Sequence, residues 1–168
     1  MSSTNSSTTG TSATSPPLEF VGVAHPRPGS QRNTLADLSA AEISTTRMGN
    51  GNGVDILVEH DHANRVGSVL ASWEGADGSL KVAGRIHDPV AANSVRTGKM
   101  RGLSLGTSVI TDGDGNALLR SQDEVSVCVE PRRPGCWIDR IDGRPVRQTA
   151  VFSKGVLHTC PFLPTTAR

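Results

Sequence analysis

The chain has 168 residues, 35% hydrophobic and 3% aromatic, with Lys+Arg 17 against Asp+Glu 16 and a net charge of +1. That length suits one domain with a single core, assembled from Val, Leu, Ile and Ala rather than stacked rings. Near-neutrality excludes a general attraction to nucleic acid or anionic lipid, so neither nucleic acid nor membrane is an expected partner.

No apolar run is long enough to cross a bilayer, and the N-terminus lacks the basic-then-apolar pattern of a signal peptide. A soluble, intracellular protein is the expectation. Cys128, Cys136 and Cys160 give neither an even disulfide framework nor a CxxC knuckle, so reduced, structural thiols are expected. The 18 Gly and 10 Pro favour short strands joined by many turns.

Residues 1–17 are mostly Ser, Thr, Gly and Asn and have almost nothing to bury, which predicts a disordered tail. An ordered domain is expected over 18–160, followed by a short tail at 161–168. Leu18 to Ala24 reads as the first strand, ended by Pro26 and Pro28. Leu35 to Ile43 is helix-like, with Ser39 and Glu42 spaced as a capping box, and it gives out at the Gly49-to-Gly53 loop. That loop is not a phosphate cradle, because no strand-to-helix turn with the required lysine or acidic residue follows.

Asp55 to Glu59 is a short strand with His60 at its end. Arg65 to Trp73 alternates as a strand does and forms a hairpin with Leu80 to Ile86 around Asp77-Gly78. Asp88 as N-cap, Pro89 at the first helical position and Gly98 past the end mark the clearest helix. The strand Leu103 to Ile110 carries Ser104. Asp112 to Asn116 resembles half a calcium loop but has no glutamate six residues past Gly115, so it reads as a hairpin turn.

Glu124 to Val129 is the next strand, ending at Pro131-Arg132-Arg133-Pro134-Gly135. Two short segments follow, Val146 to Phe152 and Val156 to His158. Strands dominate, so the expected fold is mostly β and β-barrel-like, of about seven strands with a few covering helices.

Serine is a poor nucleophile until a base takes its proton, and the base works only when a third group fixes its tautomer. The chain offers Ser104, His60 and Glu124 for these roles, and main-chain N–H groups of the arginine turn as donors for an oxyanion. His62 competes with His60, since alternation along an extended chain places both on one face. The two could also share a metal, but no further His or Cys stands at a motif spacing, so no metal or cofactor is expected. Asp123 is the substitute for Glu124. Cys160 and His158 form a further thiol–imidazole candidate in an irregular, Pro161-containing segment.

The run His60-Asp61-His62-Ala63-Asn64-Arg65-Val66-Gly67, the hairpin through Gly78 to Ile86, the helix, and Arg101-Gly102-Leu103-Ser104-Leu105-Gly106 resemble the prohead maturation proteases of tailed phages. Those proteases also have a Glu-Val-Ser-Leu-Val strand followed by Pro, similar to Glu124 to Val129 with Pro131 here. The chain also resembles the herpesvirus assemblins in the interval from histidine to Val-Gly, the nucleophile strand and the paired arginines.

The resemblance covers Phe20 to about Cys136 and implies a herpesvirus-protease-like fold with serine endopeptidase activity. By it, Ser104 is the nucleophile, His60 the general base and Glu124 the third member, where assemblins have a second histidine. Arg132 offers its main-chain N–H to the oxyanion, and Arg133 holds a supporting water. Pro131 stands where assemblins have glycine.

The implied substrates are the viral scaffold protein and the chain itself, with Ala150 and Ala167 as candidate self-processing positions. The capsid shell protein is a further implied partner, and the protease commonly acts as a homodimer. The implied site of action is the interior of the procapsid, in the host nucleus for a herpes-like virus or the host cytoplasm for a phage. The alternative is a catalytically inactive assembly factor of the same fold that binds scaffold or capsid protein.

Overall fold

In the computed structural model the described residues are 16–30, 34–49, 51, 53–153 and 156–162, with side chains described through Val146. The tail expected over 1–17 therefore falls almost wholly outside them, as do residues 163–168, including Ala167. The side chains of Ala150, His158 and Cys160 lie outside them as well.

The elements in chain order are β1 (Leu18–His25), α1 (Ala40–Thr45), β2 (Asp55–Val58), β3 (Asp61–Glu74), β4 (Leu80–Ile86) and α2 (Pro89–Arg96). There follow β5 (Gly102–Thr111), β6 (Ala117–Cys128), β7 (Ile138–Ile141), β8 (Arg144–Pro145), β9 (Arg147–Ser153) and β10 (Val156–Phe162). Eight strands form one sheet in the order β5-β6-β2-β3-β4-β1-β7-β8, and β9 and β10 pair separately. The protein is mostly β, with two short helices among the described residues.

The sheet curls without closing into a continuous ladder. Among the described residues, β5 is tied to the start of β7 by an antiparallel bridge between Gly102 and Trp137. There the Leu103 N–H donates to the Cys136 carbonyl at 2.8 Å and the Ile138 N–H to the Arg101 carbonyl at 3.0 Å. The strands from β5 round to β7 thus make the barrel-like unit, and β8 lies beyond it. Inside sit Leu18, Ile56, Val82, Ile86, Leu103 and Val125, each fully buried.

Four elements depart from the expected bounds. Helix α1 starts at Ala40 rather than Leu35, because Ser39 caps it: its hydroxyl accepts the Glu42 N–H while the Glu42 carboxylate accepts the Ser39 N–H. Residues before the cap lie outside a helix, and Leu35 is 53% exposed. Strand β3 breaks the expected alternation, since register shifts against β2 and β4 change which side chains face inward. Val66, Val69 and Ser72 are buried as a result. Strand β6 begins at Ala117, not Glu124, because its ladder with β5 runs out past the core, where Ile110, Leu118 and Leu119 are exposed. The segment around Pro161 is part of β10 rather than irregular.

All pairings in the large sheet are antiparallel except that of β2 with β6, where Asp55 faces Glu124 and Leu57 faces Ser126. This one parallel pair puts the exit of β2 beside the end of β6, with β5 on the other flank.

Candidate functional site

Strand β5 lays Gly102, Ser104 and Gly106 along one face, opposite Cys128, Ser126 and Glu124 of β6, while Leu103, Leu105, Val125 and Val127 enter the core. The glycines are there for space. A Cβ on Gly106 would come within 2.2 Å of Glu124 Oε1, and one on Gly102 within 2.7 Å of Pro131 Cδ. Only a strand of this small-residue pattern admits the Glu124 carboxylate above one side of Ser104 and the arginine turn against the other.

His60 arrives from β2 through a two-residue hairpin, Val58 pairing with Asp61 and the chain reversing at Glu59 and His60. Both have positive φ, 49° and 62°. Left-handed backbone at both central positions matches the tight turn that suits a twisted hairpin, but it favours glycine, and side chains there cost about 1–3 kcal/mol each. The offset comes from β6. The Glu59 N–H donates to the Val127 carbonyl at 3.1 Å, the Glu59 carboxylate accepts the Val129 N–H at 2.8 Å, and the His60 N–H donates to Ser126 Oγ at 2.9 Å.

So held, the imidazole spans the gap between β5 and β6. His60 Nε2 lies 2.8 Å from Ser104 Oγ, and His60 Nδ1 is hydrogen-bonded to Glu124 Oε1. Ser104 is 6% exposed and Glu124 4%, whereas the His60 side chain is 44% exposed and forms the solvent side of the site. The structure thus brings Ser104, His60 and Glu124 into one hydrogen-bonded line.

Asp123, the substitute, is exposed and accepts the hydroxyls of Ser108 and Ser121 instead. His62 is exposed on β3, beyond the turn that carries His60, so simple alternation does not relate the two. Among the described residues no group of three His, Cys, Asp or Glu side chains could hold a metal ion.

Arg132 is exposed, and among the described residues its main-chain N–H has no hydrogen-bond partner. Arg133 turns the other way and is 7% exposed. Its Nε donates to Asp37 Oδ1 at 2.7 Å and its Nη2 to the Ala36 carbonyl at 3.0 Å, fastening the arginine turn to the segment before α1. Burial pushes the Asp37 carboxyl up, but the Arg133 guanidinium and the Thr34 N–H together hold it below its ordinary value.

Behind this pair His25 is buried, its Nδ1–H donating to the Pro26 carbonyl at 2.6 Å and its Nε2 accepting the Leu38 N–H at 3.1 Å. Burial lowers the His25 pKa, as does nearby Arg133, against the opposing pull of Pro26 and Asp37. Cys128 and Cys136 are buried free thiols, each pushed up to about 12, chiefly by desolvation.

Sequence reasoning missed Ser126, Glu59, Asp37 and His25. For Ser126 a signal existed, because it follows Glu124 by two residues and so shares its face on a strand. For the other three, the partners are distant in sequence and no local pattern marks them.

No protein-family model matches the chain, and no curated protein does. Solved structures do. The chain is similar to Kaposi's sarcoma-associated herpesvirus protease in complex with a hexapeptide phosphonate inhibitor, with TM-score 0.54 and 18% identity over 73% of this chain and 64% of that one. It is also similar to varicella-zoster virus protease, with TM-score 0.52 and 15% identity over 76% of this chain and 64% of that one. The chain therefore spans 64% of the length of each of these two. At such identities the likeness is one of architecture, and the chain has the fold of the herpesvirus proteases.

Proposed function

We propose that the protein is a serine endopeptidase of the capsid-maturation type, acting through Ser104, His60 and Glu124. The observation that carries this reading is the 2.8 Å contact of His60 Nε2 with Ser104 Oγ, with Glu124 on the opposite ring nitrogen. In the reaction, Ser104 Oγ attacks the scissile carbonyl and its proton passes to His60 Nε2. Glu124 stabilises the imidazolium, and the charge on the carbonyl oxygen is taken by the Arg132 N–H, while Arg133, bound to Asp37 and the Ala36 carbonyl, anchors the turn instead of holding the water that the resemblance implied. His60 then protonates the leaving amine, and a water activated by the same nitrogen hydrolyses the acyl-enzyme.

The substrates proposed are an internal scaffold protein and the chain's own extensions, cleaved inside the procapsid beside the shell protein, in the host nucleus or cytoplasm according to the virus. The enzyme acts as a homodimer, which sedimentation equilibrium measures directly. Incubation with a fluorophosphonate probe, followed by mass mapping, tests the chemistry. The expected result is one adduct on the peptide containing Ser104, absent from Ser104→Ala and unaffected by chelator. No adduct in the folded wild type would overturn the proposal and leave a non-catalytic assembly factor; loss of labelling to chelator alone would indicate a metal hydrolase.

A further inference from the structure

Ser126 is fully buried, faces Ser104 across the β5–β6 ladder, and touches two members of the site at once. Its oxygen accepts the main-chain N–H of His60 at 2.9 Å, and its hydroxyl donates to Glu124 Oε2 at 2.8 Å.

These two bonds have fixed directions. A peptide N–H only donates, so the Ser126 oxygen is the acceptor toward His60, and the single hydroxyl proton is left for Glu124. Glu124 Oε2 is then an acceptor. As a carboxylate Glu124 can only accept, so its Oε1 receives the proton on His60 Nδ1, which leaves Nε2 bare and ready to accept the Ser104 hydroxyl proton. The Ser126 hydroxyl and the Glu124 carboxylate together set the direction of every bond from the His60 main chain to Ser104.

We propose that Ser126 is a positioning residue: it holds the His60 hairpin in its left-handed conformation and, through Glu124, fixes the tautomer in which His60 serves as base. The proposal rests on the serine-protease reading for its kinetic consequence but not for its structural one. Glu124 alone would be an orienter with one oxygen unpaired in a buried setting, where a missing partner is costly. Ser126 removes that defect and supplies the anchor that two consecutive non-glycine left-handed residues require.

The experiment compares wild type, Ser126→Ala and Ser126→Thr, each confirmed as folded by thermal melting, in two measurements. The first is the ¹⁵N NMR spectrum of the His60 ring, which reports the tautomer without any turnover. The expected result is a Nδ1-protonated ring in wild type and Ser126→Thr, and a mixed tautomer in Ser126→Ala.

The second is the rate of fluorophosphonate labelling at saturation against the concentration for half-maximal rate. Ser126→Ala should lower the first by about 10–100-fold and leave the second unchanged, with Ser126→Thr restoring it. An unaltered His60 tautomer in folded Ser126→Ala would overturn the inference whether or not the protein labels. A tautomer that shifts in Ser126→Ala, beside a Nδ1-protonated wild type that never labels, would uphold the inference and sink the protease reading, so the two failures are distinct. If Ser126→Thr does not fold, the Ser126→Ala spectrum alone decides.

Discussion

The chemistry turns on how little room surrounds Glu124. Its carboxylate occupies the place a side chain at position 106 would take, so Gly106 acts as a spatial specification for the acid. Gly106→Ala should drive Glu124 off His60 Nδ1, lowering the labelling rate of Ser104 by at least about 100-fold while costing about 1–3 kcal/mol of stability. Activity and denaturant titration measured on the same sample check this. Glu124→Gln keeps the shape but offers an amide where a carboxylate accepts two donors, and should reduce the rate on the order of 10³–10⁴-fold with a small change in melting temperature. A Gln variant that labels as fast as wild type would remove Glu124 from the site.

Ser104 and His60 stand out only through the resemblance of their flanking segments to the capsid-maturation proteases, since a serine on a small-residue strand or a histidine at a strand end marks little by itself. What could not be read was the backbone under His60. Non-glycine residues seldom adopt positive φ, so neither Glu59 nor His60 advertises a left-handed turn.

Between elements, the arginine turn is held by a stack of His25, Asp37 and Arg133 that links β1, the segment before α1 and the end of β6. Because the folded His25 has a lowered pKa, the unfolded chain binds its proton first as pH falls. The stability that neutral His25 contributes is present above its ordinary pKa of 6.5 and is lost as pH drops from there toward the lowered folded value. Asp37, lowered in the fold, adds stability that is lost only below its ordinary 3.8.

Thermal melts across this range should therefore show a first decline setting in near pH 6.5 that His25→Gln flattens, and a second below 3.8 that it leaves in place. An identical first decline in the variant would assign it elsewhere. The elements themselves were largely legible: Asp88-Pro89 marked the start of α2, and Asp77-Gly78 marked the β3–β4 hairpin. The start of α1 was misplaced because apolar spacing from Leu35 was weighed above the Ser39 cap, and the outer half of β6 was missed because it lacks a buried face.

At the level of the molecule, the mostly β class followed from turn-rich composition and short apolar runs, but strand order did not, since pairing between distant segments has no local signature. The sheet order places β6 between β2 and β5, and both flanks contribute to one site. Unfolding in urea should therefore extinguish Ser104 labelling and shift Trp137 fluorescence in a single, coincident transition. A loss of labelling well before the fluorescence change would show that the site opens as a local unit.

The parallel pairing of β2 with β6 also has a temporal side. His60 and Glu124 are 64 residues apart, and every strand between them except β6 itself belongs to the chain that must already have emerged. Contacts of such separation form late, after the intervening loop has been closed against its entropy. A chain still being synthesised thus carries His60 well before it carries β6, the strand that joins it to Ser104 and Glu124. The three side chains meet only once β6 has paired with both β2 and β5, so the chemistry proposed for them is withheld until that part of the sheet has assembled.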